Sequence, residues 1–114
     1  MKPIRIAIIG YGKIARDQHC PAIAADPRFD LVAVVSPRAA APEGVRCFAS
    51  VDDMLAAMTG ELDAVTISTP PAVRHAIARQ CLRAGLDVQL EKPPAGTLGA
   101  LDDLVAVARA NDRV

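Results

Sequence analysis

Apolar residues gather in five stretches of strand length: Ile4 to Ile9, Leu31 to Val35, a short Val45 to Phe48, Ala64 to Ser68 and Asp87 to Glu91. Continuous runs of this length, as opposed to alternating ones, are expected of strands covered by helices on both faces. The segments between them carry apolar residues at helical spacing. Ser50-Val51-Asp52-Asp53 resembles a capping box ahead of Met54, Leu55 and Met58. Val73, Ile77, Cys81 and Ala84 form a stripe that leaves Arg74, Arg79 and Arg83 outside, and Gly85 supplies the stop. A last helix from near Thr97 sets Leu101, Leu104, Val105 and Ala108 opposite Asp102, Asp103 and Arg109. Pro21 predicts a break near His19-Cys20-Pro21. This alternation of strand and helix predicts an α/β fold with a doubly wound parallel sheet. It also calls for another strand after Asn111-Asp112-Arg113-Val114. The sheet is therefore expected to be truncated before its last strand, its open edge met by a second copy or by a downstream domain.

A chain of 114 residues suits a single domain, 1–114. With 52% hydrophobic but only 3% aromatic residues, Val, Ile, Leu and Ala must fill the interior. Net charge is zero, and Lys and Arg are scattered, which argues against a nucleic-acid partner. Cys20, Cys47 and Cys81 are odd in number and lack metal-ligand spacing, so reduced thiols are expected, with no disulfide framework and no metal site. His19 and His75, the two histidines, suit structural roles. No apolar run reaches the length of a membrane span and no signal segment precedes the first strand, so a cytoplasmic location without membrane contact is expected.

The chemistry gathers where strands end. The first run opens directly into Gly10-Tyr11-Gly12-Lys13-Ile14-Ala15. Gly10 permits a tight turn, Gly12 lets the backbone approach a diphosphate, and Ala15 allows close contact of helix and strand. The helix N-terminus then faces phosphate, and Lys13 raises the local positive potential. An ordinary strand-to-helix turn is the competing reading of the same string. Asp30 has the separation expected of a carboxylate that holds the ribose of NAD, yet it precedes the second strand and so lies at its wrong end. The residues that leave that strand are Ser36-Pro37-Arg38, where a hydroxyl and a guanidinium suit the 2'-phosphate of NADP. Arg38 as a solvated loop residue is the alternative. Ser68 and Thr69 follow the fourth strand without a nucleophile-elbow sequence and suit coenzyme contact.

Lys92 lies just beyond the fifth strand, in Glu91-Lys92-Pro93, and therefore faces the same crevice as the glycine loop. A lysine is a poor base at neutral pH unless desolvation or a neighbouring positive charge pushes its pKa down, and an oxidised nicotinamide supplies both. Glu91 is placed to bond the nicotinamide ribose or to orient Lys92. A surface turn is the plain reading of that tripeptide taken alone.

Gly10 to Ala15, Thr69-Pro70-Pro71, Ala84-Gly85 and Glu91-Lys92-Pro93 together resemble the glucose-fructose oxidoreductase, inositol dehydrogenase and MocA (Gfo/Idh/MocA) family. The stretch from Gly12 to His19, then Pro21-Ala22-Ile23, and the doubled Pro93-Pro94 are similar to the branch that oxidises galactose or arabinose at C1. The resemblance implies an N-terminal Rossmann domain, NADP or NAD as coenzyme, a sugar as substrate and a lactone as product. It implies that Lys92 is catalytic, beside the transferred hydrogen. Coenzyme contacts are expected from Gly10, Tyr11, Gly12, Lys13, Ile14, Ala15, Ser36, Arg38, Thr69, Pro70, Pro71, Glu91 and Lys92. It further implies a substrate pocket on a C-terminal α+β domain missing from this chain, which alone is expected to bind coenzyme and turn over little. Two positions depart from the pattern: Pro71 and Arg74 stand where many members have Asn and His, and Pro37 separates Ser36 from Arg38. A non-catalytic nucleotide-binding or regulatory module is the alternative function.

Overall fold

The computed structural model describes residues 2–10, 20–36, 44–69, 71–90 and 98–113. Strands β1 (Ile4–Ile9), β2 (Phe29–Val35), β3 (Arg46–Phe48), β4 (Ala64–Ile67) and β5 (Asp87–Leu90) form a parallel sheet in the order β3-β2-β1-β4-β5. Helices α1 (Cys20–Ala25), α2 (Val51–Ala57), α3 (Pro71–Arg83) and α4 (Leu98–Ala110) accompany it. The strand order reverses direction between β1 and β4, the switch point at which open α/β sheets bind ligands.

The apolar runs mark the strands to within two residues. β2 begins at Phe29, two residues before the apolar run at Leu31, because its amino end pairs along β1 from Ile4 onward. β4 closes at Ile67, leaving Ser68 beyond the sheet. Pro21 lies in the first turn of α1 as described from Cys20, and His19, with the rest of 11–19, lies outside the described residues. On one face of the sheet Ala7, Ile9, Ala33, Val35, Val65 and Ile67 pack with Met54 and Met58 beside α2 and with Ala78, Cys81 and Leu82 of α3. Ile6, Ile8, Val34 and Thr66, also buried, alternate onto the other face.

The helix ends follow their expected chemistry. The Ser50 hydroxyl accepts from the Asp53 N–H at 3.1 Å and starts α2. Gly85, at φ +87°, ends α3 with Leu86 N–H donating to Cys81 O and Gly85 N–H donating to Leu82 O, both at 3.1 Å. The helix faces follow expectation in part: Cys81 and Leu104 are buried and Ile77 and Ala108 pack against the core, whereas Val73, Arg74 and Val105 depart from it. On α3 the buried set is Arg74, Ala78, Cys81 and Leu82, while Val73 is 48% exposed. On α4 Leu104 and Val107 are buried and Val105 faces out. Both helices carry alanine on several sides, so hydropathy alone does not choose a face, and the contact with the sheet and between α3 and α4 decides. Burial pushes the Cys81 thiol up to about 12, which keeps it protonated and inert.

The amino edge of the sheet is tied by ions. Asp63, just before β4, accepts from Arg5 N at 2.9 Å, Arg5 Nε at 3.0 Å and Arg5 Nη2 at 3.1 Å. Its own backbone joins β1 and β5, through Asp63 N–H to Arg5 O and Asp87 N–H to Asp63 O. The Arg5 hydrogen bonds hold the Asp63 carboxyl below the usual carboxylate range, and the Arg28 guanidinium holds Asp26 down to about 2. Because these folded values lie below the unfolded value of about 3.9, the unfolded chain binds more protons in the interval between them. Their contribution is present above that unfolded value and is lost as pH falls through the folded ones. The urea midpoint is thus expected to fall steeply between about pH 4 and pH 2. Asp63→Asn should flatten that fall, and an equally steep profile in the variant would remove Asp63 from the account.

Candidate functional site

Three backbone hydrogen bonds continue the sheet by one residue past its carboxyl edge. Gly10 N–H donates to Val35 O at 2.9 Å, Ser68 N–H to Ile9 O at 2.8 Å, and Ser36 N–H to Phe48 O at 2.9 Å. Gly10, Ser36 and Ser68 therefore stand in a row where β1, β2 and β4 end. Leu90 pairs with Ile67, so β5 ends beside the same row.

The centre of this row is a close approach of two turns. Gly10 has φ +88°, and a Cβ there would lie 3.0 Å from the Ser68 carbonyl carbon, 3.0 Å from Thr69 N and 3.1 Å from Thr69 Cγ2. Only glycine meets both conditions, the positive φ and the absence of a side chain. Next to it the Ser68 Oγ and Thr69 Oγ1 atoms are buried, and among the described residues neither has a hydrogen-bond partner. Two hydroxyls left in that state are an unmet demand for a polar ligand. The turn itself is held from behind: Arg74, buried at 4% exposure, donates from Nη2 to Thr69 O at 2.6 Å.

Of the residues singled out in the sequence, Gly10, Ser36 and Thr69 are brought to one edge, and Pro71 opens α3 beside them. Tyr11, Gly12, Lys13, Ile14, Ala15, Arg38, Pro70, Glu91 and Lys92 lie outside the described residues. Asp30 pairs with Arg5 at the amino end of β2, at the far edge from Gly10. His75 has the structural role expected of it: Nε2 lies 2.7 Å from Asp103 Oδ2, joining α3 to α4. That hydrogen bond, with Arg79 nearby, holds the Asp103 carboxyl below its ordinary range. Arg74 is the residue that sequence reasoning placed wrongly, on the solvent side.

A cavity of about 450 Å³ between Leu55, Met58 and Leu86 opens at the opposite edge. Its Thr59 hydroxyl is already donated to Leu55 O at 2.9 Å, so it offers no comparable polar demand. Among the described residues no three His, Cys, Asp or Glu side chains come together as metal ligands, and no helix is long and apolar enough to cross a membrane.

The contact at Gly10 can be separated from its backbone angle, because Gly85 has nearly the same φ and open space around it. Gly85→Ala is expected to cost about 1 kcal/mol, for the left-handed backbone alone. Gly10→Ala is expected to cost about 2–4 kcal/mol, since the Ser68–Thr69 backbone must also move. Urea unfolding of both variants measures the difference, and equal losses would mean that the two turns are not in tight contact.

Comparison with known proteins agrees with this geometry. Galactose 1-dehydrogenase of Pseudomonas fluorescens is 48% identical over 99 residues, 87% of this chain and 32% of that protein. The crystal structure of a D-galactose-1-dehydrogenase from Rhizobium etli superposes with a TM-score of 0.92 at 44% identity, covering 99% of this chain and 36% of that one. A 3-ketoreductase from Actinomadura kijaniata, solved with NADP and TDP-benzene, gives a TM-score of 0.90 at 28% identity over 99% of this chain and 36% of that one. The chain thus spans about a third of the length of these relatives. The Gfo/Idh/MocA model, described as an oxidoreductase family with an NAD-binding Rossmann fold, matches residues 4–114, and the chain belongs to that family.

Proposed function

We propose that residues 1–114 form the coenzyme domain of a sugar dehydrogenase that uses NADP in preference to NAD and oxidises an aldose such as galactose or arabinose at C1. The observation that carries this reading is the seat of Gly10 on Ser68–Thr69, beside two buried hydroxyls without a partner among the described residues, at the switch point of the sheet. A bare backbone and free hydroxyls fit the diphosphate and ribose of a dinucleotide. The identity with galactose 1-dehydrogenase supports the choice of sugar.

In this reading Gly10, Tyr11, Gly12, Lys13, Ile14 and Ala15 hold the diphosphate. Ser36 and Arg38 receive the adenosine ribose and its 2'-phosphate, while Thr69, Pro70 and Pro71 border the nicotinamide and Glu91 bonds its ribose. When bound, the coenzyme supplies the acceptor for a hydride. Lys92 would take the proton of the C1 hydroxyl as a hydride leaves C1, so that two electrons and two protons depart in all, as one hydride and one proton, and the ring carbon becomes the carbonyl of a lactone.

Calorimetric titration of the chain with NADP and NAD tests the coenzyme half of the proposal. One NADP per chain is expected, bound about tenfold tighter than NAD through charge-assisted contact with Arg38. Arg38→Ala should bring the two affinities together. Absence of binding by either coenzyme would end the proposal, and equal binding would end the preference. Galactose or arabinose added to the chain with NADP is expected to give no reduced-coenzyme fluorescence, because the sugar site in this reading lies in the length of the relatives that the chain does not span.

A further inference from the structure

Arg74 occupies a costly position. It is the fourth residue of α3, at the positive end of the helix dipole, where a cation is disfavoured, and it is 4% exposed, which removes it from water. A stabilising surface role does not require either. Its Nη2 reaches back five residues to the carbonyl of Thr69 at 2.6 Å, a short charge-assisted hydrogen bond. Thr69 is the residue whose N and Cγ2 face Gly10 most closely, and whose hydroxyl, like that of Ser68, has no partner among the described residues. The guanidinium thus grips the outer side of the turn whose inner side meets the glycine.

We propose that Arg74 is a positioning residue for coenzyme binding: by holding the Thr69 carbonyl it seats the Ser68–Thr69 turn against Gly10 and keeps both hydroxyls at the carboxyl edge of the sheet, where the coenzyme takes them up. The assignment rests on the coenzyme reading above. It deepens that reading by naming a residue that acts without touching the ligand.

The test is a double-mutant cycle read by calorimetric affinity for NADP, with far-UV circular dichroism to establish folding. Arg74→Met is expected to weaken binding about tenfold, the scale of one lost charge-assisted hydrogen bond. In a background carrying Ser68→Ala and Thr69→Val together, treated as one change in the cycle, Arg74→Met is expected to cost less than about threefold, since both hydroxyls it would have positioned are gone. A role confined to stability predicts equal fold losses in both backgrounds, and that result would overturn the assignment, as would unchanged affinity in Arg74→Met. If Arg74→Met does not fold, Arg74→Gln takes its place under the same criteria. Wild-type chain that binds neither NADP nor NAD would remove the coenzyme reading and this assignment together, whereas wild-type binding with an additive cycle removes the assignment alone.

Discussion

The contact on which the carboxyl edge depends is between two backbones, Gly10 at the end of β1 and Ser68–Thr69 at the end of β4. These strands are neighbours in the sheet, and the chain must turn upward from both within one residue of the last pair, Ile9 with Ile67. Side chains at both turns would force them apart. Glycine at one of them lets the polypeptides meet at van der Waals distance, and the sheet then ends at a turn that carries the Ser68 and Thr69 hydroxyls in place of an apolar rim. The positive φ and the missing Cβ are independent demands, and both fall on the same residue.

The two edges of the sheet divide the work. At the amino edge, Arg5 and Asp63 satisfy each other through three hydrogen bonds, and Asp63 links β1 to β5 through its backbone as well. Polar groups there are spent on one another, which secures register. At the carboxyl edge the backbone bonds of Gly10, Ser36 and Ser68 fix position, while the Ser68 and Thr69 hydroxyls have no hydrogen-bond partner among the described residues. A fold whose stabilising ions sit far from its ligand shelf can vary that shelf without loosening the sheet.

Strands were legible because burial on both faces leaves an unbroken apolar run, as in Ala7, Ile8 and Ile9, all 0–1% exposed. Ser50 and Gly85 were legible because a cap and a left-handed stop are local, set by a few residues of one segment. Helix faces were legible only in part, Cys81 and Leu104 being buried as expected. Val73 looked like a core residue and Arg74 like a surface one, but α3 carries alanines on several sides, and the partner that draws Arg74 inward is a carbonyl, which leaves no trace in the sequence. Val105 was misplaced for the same reason, since α4 buries Val107 against the cluster shared with α3. Of the glycine loop the structure describes Gly10, and Lys92 lies outside the described residues.

The choice between dinucleotides follows from strand direction more than from residue spacing. Asp30 stands five residues before Val35 along β2, so at about 3.3 Å per residue it lies roughly 16 Å from the edge where Gly10 sits. No rotamer of a two-carbon side chain closes that gap, and the count of residues after the glycine loop misleads. What reaches the edge is the segment leaving Ser36, whose N–H is pinned to Phe48 O at 2.9 Å and whose side chain is buried. That bond ends β2 on the β3 side of Gly10. Pro37 and Arg38, which follow in the sequence, lie outside the described residues, and the proposed reading assigns them to the adenosine ribose. A guanidinium in that segment favours an additional phosphate and offers nothing to a bare ribose hydroxyl that a carboxylate would not supply better. The proposed preference for NADP therefore rests on the residues that follow one strand in the sequence, Ser36-Pro37-Arg38.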